Sequence, residues 1–372
     1  MLKLMTVVGA RPQFVKAAVL SRKLREREYT SQIQEILVHT GQHYDENMSD
    51  VFFREMQIPA PDYNLEVGSG SHGATTGAML AGIEGLILQH KPDVLLVYGD
   101  TNSTLAGALA ASKLHVPVAH VEAGLRSYMM SMPEEQNRRL TDHLSTWLFC
   151  PTSAAVANLE KEGIPSIART RPTADKKSVV LCGDIMYEAF LFYRSLALSL
   201  ELKILKDLPP QFCLLTLHRA ENTDNIERLS AIVRAINRHK ELFFVFPAHP
   251  RTRKLLAQYG LSFQDHVRVI DPVGYFDMIA LENACRFIMT DSGGVQKEAY
   301  FFAKPCVTLR DATEWVELVD AGWNFLAGAE EAKIGEGIVW AEQLAAHGRE
   351  HPLLYGDGNT AAVIANEIRN SF

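Results

Sequence analysis

The segment VLLVYGDTNSTLAGALAASKLHVPVAHVE, residues 94–122, decides the fold. Five apolar residues (94–98) stop at Gly99-Asp100, a helical run rich in small residues covers 103–114, and a second apolar run (117–121) stops at Glu122. Strands that are apolar throughout, rather than alternating, belong to parallel sheets covered on both faces, and a helix joining two of them is a βαβ crossover. The pattern continues outward in both directions. Further apolar runs lie at 4–8 and 35–39, then at 147–151, 179–182, 212–217, 243–247, 267–270, 287–290 and 306–309, with helical stretches such as 134–145 between them. A chain of 372 residues is too long for one ordinary core, so two doubly wound α/β domains are expected. The polar, basic stretch PSIARTRPTADKK (165–177) opposes a buried element, which sets the domains at 1–177 and from 178 onward, with the connection there or near Cys182-Gly183-Asp184. Two such halves are expected to face a central cleft lined by the loops at the carboxyl ends of the strands.

Composition narrows the possibilities. With 47% hydrophobic and 22% charged residues the chain is neither disordered nor fibrous. There are 44 acidic against 37 basic side chains, a formal charge of −7, so duplex nucleic acid and anionic membrane surfaces are not expected as partners. The five cysteines are scattered, odd in number and never spaced C-x-x-C, which suits buried reduced thiols in the cytoplasm. The first residues, MLKLMTVVGARPQF, form too short an apolar run for a signal peptide, and no stretch reaches the roughly 18 apolar residues of a membrane helix.

The strand-end loops carry the chemistry. Gly9 to Lys16 (GARPQFVK) combines a glycine turn, Pro12 at a helix start and the cations Arg11 and Lys16, which suits either an anion site or an ordinary βα turn; it is not G-x-G-x-x-G. Asp100 stands at a strand end as either a helix cap or an acid, and Glu122 ends the next strand, where a buried glutamate needs a partner or a task. Pro133-Glu134-Glu135 opens a helix on which Glu134 and Arg138 share a face. Three acids, Asp100, Glu122 and Glu134, directed at one cleft suit acid–base catalysis. In the second half His218 ends a strand, and Thr290-Asp291-Ser292-Gly293-Gly294 leads into a helix. There, bare N–H groups of Ser292, Gly293 and Gly294 suit a diphosphate, and Glu298 one turn later suits the hydroxyls of a ribose. His120 and Glu122 are neighbours, but no H-E-x-x-H or comparable spacing exists among the thirteen histidines, so no metal site is expected.

Taken together, GARPQFVK, YGDTNSTLAGALAA, HVEAGLRS, PEEQNRRLTD, LHRAEN, AHPRTR, TDSGGVQKEA and YGDG (355–358) resemble the non-hydrolysing UDP-N-acetylglucosamine 2-epimerases over essentially the whole length. The resemblance implies two Rossmann-like domains of glycosyltransferase-B type, the second ending at 354, with a helix in 355–372 returning to the first. It implies UDP held by the second domain, commonly a homodimer, and a role in surface-polysaccharide precursor synthesis. The implied reaction inverts carbon 2 without a cofactor: UDP is eliminated to leave a 2-acetamidoglucal and then adds back with a proton on the opposite face. By the same resemblance Asp100, Glu122 and Glu134 are the acid–base and cation-stabilising groups, their individual proton transfers unassigned, and His218 serves the diphosphate. Arg11, Lys16 and Arg138 neutralise charge, Ser292, Gly293, Gly294 and Glu298 hold diphosphate and ribose, and Val273 and Met278 border the uracil.

Two departures bear on the sugar. Thr313-Glu314-Trp315-Val316-Glu317 replaces the family's Thr-Glu-Arg-Pro-Glu, and Thr40-Gly41-Gln42-His43-Tyr44-Asp45 replaces an allosteric Gln-His-Arg-Glu segment. Both resemble the branch acting on UDP-2,3-diacetamido-2,3-dideoxyglucuronate, whose carboxylate would need a cation such as Arg310 or Arg126. A hydrolysing epimerase and a UDP-sugar glycosyltransferase are the remaining alternatives.

Overall fold

Each of these apolar runs forms a strand, and every strand pairing is parallel. The computed structural model describes residues 1–41, 57–200 and 203–372. The chain divides into two units, Met1–Leu191 with Leu353–Phe372, and Phe192–Pro352.

In the first unit the strands are β1 (Leu2–Val8), β2 (Ile33–His39), β3 (Tyr63–Asn64), β4 (Val94–Tyr98), β5 (Val118–Val121), β6 (Trp147–Cys150) and β7 (Ser178–Leu181), in the order β3-β2-β1-β4-β5-β6-β7. The winding direction reverses between β1 and β4, so the loops after these two strands meet at the switch point where such sheets place their ligands. Leu95 to Tyr98 pair in register with Val118 to Val121, which brings the ends of β4 and β5 side by side. Helices α1 (Arg11–Leu24), α2 (His72–His90), α3 (Asn102–Lys113), α4 (Pro133–Leu144) and α5 (Ser153–Lys161) carry the crossovers. The small residues of α3 let it lie close on the sheet: a β-carbon at Gly107 would stand 3.0 Å from Val97. Met5, Val7, Leu95 and Val97 form the fully buried floor beneath α2 and α3.

The second unit holds β8 (Cys213–Thr216), β9 (Phe244–Pro247), β10 (Val267–Ile270), β11 (Ile288–Thr290), β12 (Cys306–Thr308) and β13 (Asn324–Leu326), in the order β10-β9-β8-β11-β12-β13. Its switch point lies between β8 and β11. Helix α6 (Ile185–Ser199) carries the chain out of the first unit. Helix α7 (Ile226–Arg238) shows how the layers are fixed: Asn225 caps its first N–H groups, and Leu229, Ile232, Val233 and Ile236 turn one stripe into the core. Each such side chain contributes about 1.5–3 kcal/mol on burial.

Three expectations need correction. The domain boundary falls between Leu191 and Phe192 rather than at 177/178, because β7 pairs with β6 and so belongs to the first sheet. The stretch 165–177 is a loop within that unit rather than a linker: Val179 and Arg169 donate their N–H groups to Ile167 O (3.0 Å) and Ser178 Oγ (3.0 Å), folding it back on β7. The chain re-enters the first unit at Leu353, one residue before the expected 354/355 boundary, and its last helix, α13 (Thr360–Arg369), packs on α1. Asn366 Oδ1 accepts from Tyr29 Oη at 3.2 Å, and Arg369 pairs with Glu28. The five cysteines are buried free thiols, and among the described residues no helix is long and apolar enough to cross a membrane. Residues 42–45, within the segment compared with an allosteric site, lie outside the described residues.

Candidate active site

At the first switch point one side chain joins the two loops. Gln13 Oε1 accepts from the N–H groups of Gly9 (2.8 Å) and Ala10 (3.0 Å), while its Nε2 donates to Tyr98 O (2.7 Å), Thr101 Oγ1 (3.0 Å) and Thr104 Oγ1 (2.9 Å). Those two N–H groups are therefore engaged by the protein itself and not offered to an anion. Gly9 is required by close approach, since a β-carbon there would stand 2.0 Å from Ser103 Oγ. Arg11 begins α1; its side chain lies outside the described part of the structure.

Around this frame the expected acids divide. The cap of α3 is Thr101, whose hydroxyl accepts from Thr104 N, so Asp100 is free of that task. Its carboxylate instead pairs with Arg138, which also reaches Glu135 at 3.1 Å. Glu122 pairs with Lys16, both nearly buried, and its backbone is left-handed (φ +69°). A glutamate held in that region is strained by about 1–3 kcal/mol, the kind of cost that collects at functional sites. Glu134 is exposed on the first turn of α4, while the ion pairs of Arg138 run to Asp100 and Glu135. The buried acid of that turn is Glu135, which accepts from Ser127 N (2.8 Å), Ser127 Oγ (3.0 Å) and Tyr128 N (3.3 Å) and so ties the 127–128 loop to the helix.

Beneath these groups lies a buried charged chain that sequence reading missed. Asp142 Oδ1 lies 2.7 Å from His120 Nδ1, and Asp142 Oδ2 lies 2.7 Å from Arg126 and accepts from Gly124 N (3.1 Å). Arg126 continues to Glu162 through Nε and Nη2 at 2.8 and 2.7 Å. Burial pushes the Asp142 carboxyl up, but His120 and Arg126 outweigh it and hold the group below the ordinary range. Arg126 is thus fully engaged and buried, and cannot serve as the cation for a substrate carboxylate.

In the second unit the end of β8 is fixed by Asp291, at the end of β11. Its buried carboxylate accepts from the N–H groups of His218 (3.1 Å) and Arg219 (3.0 Å) and from Asn222 Nδ2 (3.3 Å), and lies 3.1 Å from His218 Nδ1. The half-exposed His218 ring therefore has one nitrogen held and the other turned outward. Ser292 caps helix α10 (Gly293–Phe301), accepting from Val295 N at 3.5 Å. A β-carbon at Gly293 would stand 2.4 Å from Glu314 Oε1 and would displace that carboxylate, whereas Gly294 is exposed with nothing nearer than 3.9 Å. Trp315 donates Nε1 to Gly293 O (2.9 Å), and Lys297 Nζ lies 4.4 Å over the indole, so the departing residue braces the glycine turn. Arg310 pairs with Glu314 at 2.7 Å. Glu298 lies against the buried Glu282. Burial, with Glu298 beside it, pushes the Glu282 carboxyl well above the carboxylate range, and burial raises Glu298 as well. Val273 and Met278 are partly buried beside the end of β10, Met278 on helix α9 (Tyr275–Ala284), both packed on the core below.

Lys16, Asp100, Glu122 and Arg138 are thus assembled in one unit, and His218, Ser292, Gly293, Gly294 and Glu298 in the other. Sequence reading missed Gln13, Glu135, Asp142, Asn222 and Asp291, all buried polar residues inside the quoted segments; for all but Asp142, which lies in the last turn of α4, the signal was their position at a strand end or in a first helical turn.

Two parallel-sheet units, each with charged or glycine-rich loops at its switch point, define an α/β protein of the two-domain glycosyltransferase-B type. The chain belongs to the UDP-N-acetylglucosamine 2-epimerase family, whose family model matches residues 25–369. It is 50% identical to a UDP-2,3-diacetamido-2,3-dideoxy-D-glucuronate 2-epimerase from Pseudomonas aeruginosa, over 99% of each chain. It is 48% identical to a UDP-N-acetylglucosamine 2-epimerase homolog from Methanococcus maripaludis, over 99% of this chain and 100% of the relative. Among solved structures it is similar to the Methanocaldococcus jannaschii UDP-GlcNAc 2-epimerase in complex with UDP-GlcNAc and UDP, with TM-score 0.82, 40% identity and 99% of each chain covered.

Proposed function

We propose that this protein is a non-hydrolysing UDP-sugar 2-epimerase that interconverts UDP-N-acetylglucosamine and UDP-N-acetylmannosamine. The observation that carries the proposal is the pair of cation-held carboxylates, Asp100 with Arg138 and Glu122 with Lys16, at the switch point of a family member's first sheet. Epimerisation by elimination needs a base for the carbon 2 proton, an acid for the return from the opposite face, and a clamp on the departing diphosphate. The base takes the proton as the bond from carbon 1 to the diphosphate oxygen breaks. The electron pair of the C–H bond closes the glucal double bond, and UDP leaves with the other pair. Re-addition reverses each transfer with the proton delivered to the other face. Asp100, Glu122 and Glu134 supply the acid–base and cation-stabilising groups, and Lys16, Arg11 and Arg138 balance their charge. His218, with its outward nitrogen, and the Ser292-Gly293-Gly294 turn receive the diphosphate, Glu298 the ribose, and the segment of Val273 and Met278 the uracil. The resemblance also supports a cytoplasmic homodimer feeding surface-polysaccharide synthesis, without nucleic-acid or membrane partners.

A second sugar is favoured by two observations, the 50% identity to the Pseudomonas diacetamido-glucuronate epimerase and Trp315 in place of an arginine. One experiment separates the classes. The protein is incubated with UDP-N-acetylglucosamine alone in deuterium oxide and the anomeric proton followed by NMR. We expect an epimer that keeps UDP and carries deuterium at carbon 2. Free sugar identifies a hydrolase, an unlabelled epimer identifies internal hydride transfer, and no change identifies a transferase only where UDP-2,3-diacetamido-2,3-dideoxyglucuronate is left unchanged as well.

A further inference from the structure

His120 occupies β5 two residues before Glu122, is fully buried, and has its ring hydrogen bonds to Asp142 and Gly99 rather than to Asp100 or Glu122. Its Nδ1 lies 2.7 Å from Asp142 Oδ1 and its Nε2 lies 2.7 Å from Gly99 O. Both partners are acceptors, so the ring donates from both nitrogens. Asp142 is itself immobilised by Arg126 (2.7 Å) and Gly124 N (3.1 Å), and Arg126 by Glu162, so the ring is held from behind by a rigid set of charges. The Gly99 carbonyl at the other end belongs to the peptide plane that leads into Asp100. Gly99 is left-handed (φ +61°), and its N–H donates to Val121 O at 3.0 Å, one residue before Glu122. With the carbonyl held, the plane cannot rotate, and the direction in which the Asp100 side chain leaves the strand is set from β5, the same strand that delivers Glu122.

We propose that His120 is a positioning residue for the two acids: by clamping the Gly99 carbonyl it fixes the orientation of Asp100 relative to Glu122. The inference rests on the function proposed above.

Two variants test it, since asparagine places its amide nitrogen near Nδ1 of histidine and glutamine near Nε2. His120→Asn keeps the bond to Asp142 and loses the one to Gly99; His120→Gln does the reverse. We expect His120→Asn to lower kcat about 10–100-fold, the scale of a roughly 1 Å misplacement, with KM and the Kd for UDP within about threefold of the parent. His120→Gln should keep kcat within about threefold. A purely structural histidine would instead lower Tm and leave kcat, measured well below Tm, unchanged in both. A folded His120→Asn with parental kcat overturns the inference. If His120→Asn does not fold, a folded His120→Gln that loses more than about tenfold in kcat overturns it equally. An inactive parent refutes the functional assignment, whereas an active parent with an equally active His120→Asn refutes the inference alone.

Discussion

The α-carbon of Gly99 faces the carboxylate of Glu122: a β-carbon built on it would stand 3.3 Å from Oε2, and 3.6 Å from the Lys16 ammonium. Substitution there meets two costs, the crowding of an ion pair and the left-handed backbone. We expect Gly99→Ala to lose about 1–2 kcal/mol of stability, the cost of placing an L-residue in that region, and to lose turnover with it. Urea denaturation and kcat on the same preparation check this. Parental values of both show that the pair has room to move.

Asp100→Asn and Glu122→Gln remove one positioned acid or base each while keeping shape. Turnover should fall roughly 10²–10⁴-fold with UDP affinity little changed. Glu134→Gln tests the third carboxylate, which is exposed, whereas Arg138 pairs with Asp100 and Glu135. Near-normal turnover in that variant alone would restrict the chemistry to the two cation-held acids.

Trp315→Arg withdraws the indole from Gly293 O and from Lys297. If the tryptophan shapes the pocket for a diacetamido-uronate, the ratio of kcat/KM between that sugar and UDP-N-acetylglucosamine should shift by about 1–3 kcal/mol toward the latter. An unchanged ratio with a weakened Kd for UDP would make the residue a brace of the glycine turn and nothing more.

Stability toward acid should carry the mark of Asp142. A carboxyl whose folded value is depressed contributes fully above its unfolded value and loses that contribution as pH falls through the folded one. Urea midpoints should therefore drop as pH falls below the ordinary 3.8, and Asp142→Asn should flatten the drop while lowering stability at neutral pH. The Glu282–Glu298 pair acts with the opposite sign. Raised above 4.5, it favours the fold at low pH and costs stability as pH rises from 4.5 through the folded values. Glu282→Gln should remove that decline. An acid limb identical in the parent and in Asp142→Asn contradicts the first assignment.

Strand ends were legible because a parallel strand is apolar to its last residue, and the change to Gly99-Asp100 or Glu122 is abrupt in one dimension. Helical phase was harder. Glu134 and Glu135 are neighbours, and which one turns inward depends on the helix starting at Pro133 rather than a residue later. The cap of α3 is of the same kind: Asp100 suits the role, but the helix begins one residue later and Thr101 takes it. The pairing of His120 with Asp142 was illegible, because it joins a strand to a helix 22 residues away through tertiary packing. β3 is two residues long, too few to show a period, and β7 carries no residue of its own that says which sheet it joins.

Gln13 makes the amide group a directional fastener. Its oxygen grips the β1 loop and its nitrogen the β4 loop, so the bond pattern has a polarity that no other side chain reproduces. Glutamate would set a second acceptor against Tyr98 O, asparagine falls one methylene short, and lysine would turn donors toward the N–H groups of Gly9 and Ala10. The first turns of α1, which carry Lys16, and the loop that carries Asp100 are consequently tied together through one side chain.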